Sequence, residues 1–495
     1  MTRWGTAALA LAAALLSVLL RFPFLSVPLT ADEAGYAYVA TWLARGQALY
    51  RDLWFDRPQG IFLIYGAILA LFGEETESIR LAAGIYNALT TLLVFLLGRR
   101  LVGTNGALAA AFLFALASSS PGIEGFTANG ELFMNLPACA ALLLALQRRY
   151  VLAGALLAVA ALVKPTALPG AAAAVGLVVW TQATAVRARL TGAAWVALGS
   201  LLVTAPFVWH GVVSGPDDFW YAVVGFRVEE HSALSAGAQF FDELRQSGPH
   251  VTWAVFPVWL LVALWVRRGH WRTSSGRILA AFLVGSVAGA AAGGYWYWHY
   301  FVGILPPAAL MAGQALAQDL LPGFGARLAS LVRAPRRLFR PRRALAWLVA
   351  AALSGVISLA ANASYVGATP EETGLRLYRR HAASASRDVA RYLEARTAPD
   401  DTVYAAFAGP EVYFMSRRRS AGRHLYWTEI NRVPGALDDV IRTLDDPRKC
   451  PKYVVRLQSE LERPGRAAAF WDRVERRFAP EAVVRGVIIY RRIDG

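Results

Sequence analysis

Cysteine and charge are both scarce in this sequence. The two cysteines, Cys139 inside an apolar run and Cys450 in a polar tail, cannot build a disulfide framework. Only 17% of the 495 residues are charged, against 56% apolar, and mean hydropathy is +0.40. That balance excludes a water-soluble globule and implies a chain threaded repeatedly through a bilayer. HExxH and CxxC metal spacings, a phosphate-cradling P-loop and GxSxG are also missing, so nucleotide-dependent chemistry on the cytoplasmic face has no visible site. No internal repeat or long low-complexity segment stands out.

What charge there is leans basic, 50 Lys and Arg against 34 Asp and Glu, a formal net charge of +16. The arginines fall between apolar runs and in the tail, a pattern that orients a membrane protein rather than binding nucleic acid. Apolar runs at roughly 4–21, 80–97, 105–120, 132–147, 151–163, 165–181, 191–213, 251–266, 277–293, 301–320 and 344–362 predict about eleven transmembrane helices. The first continues into "RFPFLSVPL" with no small-residue cleavage site and reads as a retained span. Arg99 and Arg100, Arg148 and Arg149, Arg187 and Arg189, Arg267 and Arg268, and the cluster from Arg333 to Arg343 all fall on one side if the N-terminus is cytoplasmic. Residues 22–79, 121–131, 214–250, 293–300 and everything after 363 then lie outside.

Two runs break the simple alternation. "GIFLIYGAILALFG" at 60–73 is short for a span and reads as an interfacial helix. The stretch 151–181 has arginines beyond both ends, so it enters and returns as a broken hairpin turned by "VKPTALPG", with Lys164 at its outer tip. The expected division is a membrane domain over 1–362, whose first outer loop is 22–79, and a small α/β exoplasmic domain over 363–495. In that tail "SASRDVARYLEAR" reads as an amphipathic helix, and "TVYAAFA", "KYVVRL" and "GVIIYRR" as strands.

The polar candidates converge on the outer side. "LTADEAGYAY" places Asp32 and Glu33 where the chain leaves its first span. "TADE" fits a capping box that would occupy Glu33 with Thr30, a job that does not need Asp32, with Tyr36 one turn on. Arg57 in "WFDRPQG" is either an anchor that snorkels or a grip on a lipid phosphate. Glu124, Asn129 and Glu131 come just before a later span, Glu131 being either a first-turn helix acid or a site residue. Lys164 at membrane depth is costly and points to function. His299, with Tyr300 beside it, sits in an aromatic stretch that an interfacial belt would also explain.

Together "PLTADEAGYAYVATWLARGQALYRDLWFDRPQGIFLIYGAILALFG" and "ESIRLAAGIYNALTTLLVFLLGRRLVG" resemble the GT-C membrane glycosyltransferases, in the branch of protein O-mannosyltransferases and lipid A aminoarabinose transferases. The resemblance covers about residues 20–180 and extends more loosely through "HYFVGILPP". It implies transfer of a sugar from a polyprenyl-phosphate donor to a glycolipid, glycan or protein acceptor of the cell envelope, in the inner (plasma) membrane. By position it marks Asp32, with Glu33 beside it, as the catalytic acid, and Arg57 and Lys164 as binders of the donor phosphate. Glu131 matches the second-loop acid, and Tyr36, Glu124, Asn129, His299 and Tyr300 fall to substrate binding. "RPQG" departs from the two prolines many relatives carry. No cofactor is predicted, and a divalent metal stays open. A transporter or flippase of lipid-linked sugars is the alternative, against which stand the missing repeats and the one-sided gathering of charge.

Overall fold

The computed structural model describes residues 2–233, 238–292, 296–320, 362–378, 382–407, 409–457 and 467–493, with 352, 356, 359 and 360. Two compact units emerge. One comprises residues 1–25, 80–207 and 230–368, the other 26–79, 208–229 and 369–495. Segments 26–79 and 208–229 thus share a unit with the tail.

The first nine helices are α1 (Arg3–Leu19), α2 (Ala31–Ala44), α3 (Gly60–Phe72), α4 (Thr76–Leu101), α5 (Gly103–Ser118), α6 (Gly130–Leu146), α7 (Tyr150–Val163), α8 (Leu168–Gln182) and α9 (Val186–Ser214). Among the described residues five helical stretches are long and apolar enough to span a bilayer: Arg3–Phe24, Thr76–Leu101, Val186–Ser214, Ser274–Ala291 and Trp298–Asp319. Five shorter apolar helices, including α3, α5, α6 and α7, have only 10–17 residues. Among the described residues length and composition do not confirm the expected count of eleven spans. The run at 344–362 and the arginines from Arg333 to Arg343 lie mostly outside the described residues. The hairpin is present, its arms α7 and α8 broken at Lys164–Pro165.

In the membrane unit small residues let helices touch backbone to backbone. A Cβ on Gly154 of α7 would lie 1.9 Å from the Val196 carbonyl of α9, and one on Gly199 of α9 would lie 1.9 Å from the Val151 carbonyl. The two glycines pack reciprocally, the small-residue contact that brings helices together where no hydrophobic effect drives them. Two arginines are buried in the same unit. Arg21, 2% exposed, donates to the carbonyls of Ser17, Ser118 and Gly125 and to Ser119 Oγ at 2.6–2.8 Å. Arg80, 1% exposed, lies over the Phe126 ring at 4.8 Å. Through the bonds of its two terminal nitrogens Arg21 fastens the loop before α6.

The second unit carries a five-stranded sheet in the order β2-β1-β3-β5-β4. Its strands are β1 (Thr402–Ala405), β2 (Arg419–Ser420), β3 (Tyr453–Arg456), β4 (Phe478–Val484) and β5 (Val487–Arg492). The first three run parallel, and β5 is antiparallel to both β3 and β4. Arg485 and Gly486, at φ 51° and 81°, make the two-residue β4–β5 turn that positive φ at both positions favours. Tyr404, Phe407, Val440, Leu444, Val454, Phe470 and Val474 form the core beneath. The three expected strands are present and the amphipathic helix spans Ala382–Glu394; β2 and β4 join them.

Candidate active site

The second unit positions Asp32 from the N-terminus of α2. Thr30 caps the helix, its Oγ1 accepting from the Glu33 amide, while Glu33 Oε2 accepts from the Thr30 amide at 2.9 Å and the Thr30 hydroxyl at 3.0 Å. Glu33, fully buried, is therefore held in a capping box. Asp32 beside it is only partly buried. Tyr36 is packed away among Phe55, Phe62 and Tyr65, with ring centroids 5.5–6.1 Å apart. Over this first turn comes Tyr426 from the tail, its hydroxyl donating to the Ala31 carbonyl at 2.9 Å. Gly35 makes that approach possible: a Cβ there would stand 1.9 Å from the Tyr426 hydroxyl oxygen.

A second group in the same unit surrounds Asp56, which is 9% exposed. Its carboxylate receives Arg57 at 2.8 Å and also Arg227. The Arg57 carbonyl accepts the Tyr50 hydroxyl at 3.1 Å, and Tyr50 holds a left-handed backbone at φ 72° to deliver it. A non-glycine residue at such an angle is strained, and it is the Tyr50 hydroxyl bond that ties the Arg57 backbone in place. Nearby Glu429, 2% exposed, closes another capping box through the amides of Leu425 and Tyr426. Burial, together with the charge of Asp56, holds its carboxyl well above the usual range.

Glu411 completes the acidic side. It opens the Pro410–Ser416 helix, which packs on α2 through Tyr413 and Tyr38, ring centroids 5.6 Å apart. Ser420 also donates its amide to the Tyr38 hydroxyl at 2.9 Å. Burial and then the charge of Asp32 push the Glu411 carboxyl up to about 7.

The first unit gathers the other expected residues. Lys164 is 5% exposed, bonded to Glu131 Oε1 and set over the Tyr300 ring at 4.4 Å. His299 Nδ1 meets Glu124 Oε2 at 2.9 Å, and Glu124 holds a left-handed φ of 52°. Asn129 donates to Thr127 Oγ1 at 3.0 Å. Asn129 Oδ1 and Glu131 Oε2 are buried without a protein donor, so this cluster offers two acceptors to a bound polar group or water.

Of the sequence candidates, the structure thus brings Glu124, Asn129, Glu131, Lys164, His299 and Tyr300 into one unit, and Asp32, Glu33, Tyr36 and Arg57 into the other. Sequence reasoning missed Arg227, Glu411, Tyr426 and Glu429. Gly35 in a helix that otherwise has no reason for glycine was the one local signal of the approach of Tyr426. Among the described residues no three His, Cys, Asp or Glu side chains are gathered as metal ligands.

Comparison with known proteins agrees with this architecture. Residues 56–210 match the family model described as dolichyl-phosphate-mannose-protein mannosyltransferase. The crystal structure of ArnT from Cupriavidus metallidurans bound to undecaprenyl phosphate superposes over 100% of this chain and 99% of that one, at a TM-score of 0.66 and 16% identity. The oligosaccharyltransferase AglB from Archaeoglobus fulgidus, in complex with an inhibitory peptide and a dolichol-phosphate, covers 92% of this chain and 69% of its own at 0.53 and 15%. The arabinofuranosyltransferase AftD from Mycobacteria covers 99% and 40% at 0.52 and 17%. No curated protein matches by sequence. The chain has the fold of the GT-C membrane glycosyltransferases.

Proposed function

We propose that the protein transfers a sugar from a polyprenyl-phosphate-linked donor to a cell-envelope acceptor at the outer face of the membrane. The observation that carries this reading is the arrangement in the second unit: a partly exposed carboxylate, Asp32, and two arginines, Arg57 and Arg227, that share one buried aspartate. Asp32 takes the proton of an acceptor hydroxyl, whose oxygen attacks the anomeric carbon. The bond from that carbon to the phosphate oxygen breaks, and its electron pair leaves with the polyprenyl phosphate. Arg57 and Arg227 hold the phosphate as its charge grows, exchanging part of their bond to Asp56 for it. Lys164, which the resemblance also marks for the phosphate, is buried against Glu131, so the phosphate role is assigned to the arginines.

The test uses the purified full chain in detergent, the radiolabelled lipid-linked-sugar fraction of the native membrane as donor and the envelope fraction of a deletion strain as acceptor. Asp32→Asn is expected to abolish transfer while still binding undecaprenyl phosphate. Arg57→Ala and Arg227→Ala are each expected to weaken undecaprenyl phosphate binding by roughly tenfold to a hundredfold, the worth of a charge-assisted hydrogen bond. Arg57→Lys, keeping the charge and losing the fork, is expected to fall between. Wild-type turnover by Asp32→Asn would overturn the role of Asp32, and unchanged lipid binding by both alanine variants would overturn the phosphate site.

A further inference from the structure

Asp32, Arg57 and Arg227 lie on three segments of the chain, and residues of one short tail stretch, Arg423 to Tyr426, bond to each of those segments. All of these contacts fall inside the second unit. Towards α2, the Tyr426 hydroxyl donates at 2.9 Å to the carbonyl of Ala31, the residue before Asp32, in the space Gly35 leaves open. Towards Arg57, the Arg423 carbonyl accepts the Trp54 amide at 3.0 Å, and the Tyr426 ring meets Phe55 edge to face at 5.4 Å. Towards Arg227, the Arg423 guanidinium donates to Asp218 Oδ2 at 3.0 Å on the Pro216–Trp220 helix. Trp54 is shared between them: His424 lies 5.2 Å from its ring, and Phe226, next to Arg227, lies 5.3 Å from it.

We infer that this stretch is the positioning device of the reaction centre, in which Tyr426 places the base Asp32 and Arg423 places the segment that carries the phosphate-holding Arg227. This rests on the reading of Asp32 as base and of the arginines as phosphate holders. The tail thereby sets the spacing between the two halves of the site.

The chemistry of the ties supports that role. Ala31 is the first residue of α2, so a bond to its carbonyl fixes the turn that presents Asp32. A carbonyl oxygen has two lone pairs, and the helix itself fills only one of them, which leaves the other to a donor from outside such as Tyr426. Placement matters because a displacement of about 1 Å at a reacting group can cost roughly a hundredfold in rate. The tie to Asp218 is an ion pair instead, and it acts nine residues before Arg227. Removing the two ties separately therefore moves different steps.

The assay above reads them apart, as kcat and KM for transfer and as undecaprenyl phosphate binding. Tyr426→Phe keeps the ring on Phe55 and removes only the hydroxyl. It is expected to lower kcat by roughly tenfold to a hundredfold and to leave lipid binding unchanged. Asp218→Asn removes the charge that Arg423 holds, and is expected to weaken lipid binding by about two- to fivefold, the worth of a partly exposed ion pair. The exchanged pair, Asp218→Arg with Arg423→Asp, is expected to bind more tightly than Asp218→Asn, a rescue that lost stability alone would not give. Wild-type kcat in Tyr426→Phe would overturn its role. Loss of kcat and lipid binding together in that variant would mark a general structural part and overturn it equally. Unchanged lipid binding by Asp218→Asn, or no rescue by the exchanged pair, would overturn the role of Arg423. A wild type that binds the lipid and transfers no sugar would overturn the reading of Asp32 and the Tyr426 role with it, while lipid binding still decides the role of Arg423.

Discussion

Asp32 and Glu33 are neighbours in sequence with the same kind of side chain, yet the first turn of α2 gives them different work. The capping box was legible in "TADE" because both its bonds span three residues. The environment of Asp32 was not, because Glu411 and Tyr426 come from the far end of the chain and no local pattern announces them. Glu33→Gln is expected to cost about 1 kcal/mol in a denaturation experiment, the usual worth of a cap, and to leave substantial transfer activity. Equal loss of activity in Asp32→Asn and Glu33→Gln would instead mean that the two carboxylates act together. His424 gives the second test at this scale. It is 1% exposed, neither ring nitrogen has a partner, and Trp54 lies 5.2 Å from its ring. Burial and the adjacent Arg423 push it down to about 3, below its unfolded value of 6.5. As pH falls through that window the unfolded chain binds the proton and the folded one does not, so stability drops. The loss due to this residue is about 1.4 kcal/mol per pH unit, and His424→Phe is expected to remove it. Glu411 has the opposite sign, its contribution being present below its unfolded 4.5 and lost as pH rises through about 7.

Elements were legible where their cause was local. The broken hairpin of α7 and α8 followed from apolar arms too short to span, flanking arginines and two prolines, and the structure breaks it at Lys164–Pro165. Strands β1, β3 and β5 are apolar runs in the sequence and are present. Strand β2 has two residues, and β4 is a mostly exposed edge strand interrupted by Pro480 with no apolar–polar alternation, so neither carries a pattern that a sequence can show. Gly35 is the informative case. By helix propensity, replacing a glycine inside a helix with alanine gains about 1 kcal/mol. Here the new Cβ would meet the Tyr426 hydroxyl at 1.9 Å. Gly35→Ala is therefore expected to lower the melting temperature and reduce transfer, and Gly35→Ala combined with Tyr426→Phe to recover part of the stability. A stabilised Gly35→Ala single variant would show that Tyr426 does not hold this position.

At the scale of the whole molecule the question is which side of the membrane the tail occupies. The orientation reading rests on arginines, whose burial differs, although Arg45 and Arg51 in the stretch 22–79 are exposed exceptions on the outer side of that threading. Arg99, Arg100, Arg148, Arg149, Arg187, Arg267 and Arg268, all assigned to the cytoplasmic side, are exposed. Arg21 and Arg80, which the threading places outside, are 2% and 1% exposed and held by backbone carbonyls or an aromatic ring. The rule that basic residues stay inside concerns charges in solvated loops, so buried, bonded arginines do not count against it. The tail should then be exoplasmic. Cys450, in the tail, is buried at 5% exposure, as Cys139 is at 0%. Neither native thiol is accessible, and introduced cysteines can be read against a low background. Asp400 and Thr184 are both exposed, one before β1 in the tail and one between α8 and α9. In spheroplasts a membrane-impermeant thiol reagent is expected to label Asp400→Cys at once and Thr184→Cys only after lysis. The reverse pattern would place the tail in the cytoplasm and remove Asp32 from the outer face together with it, since Asp32 and the tail share one compact unit.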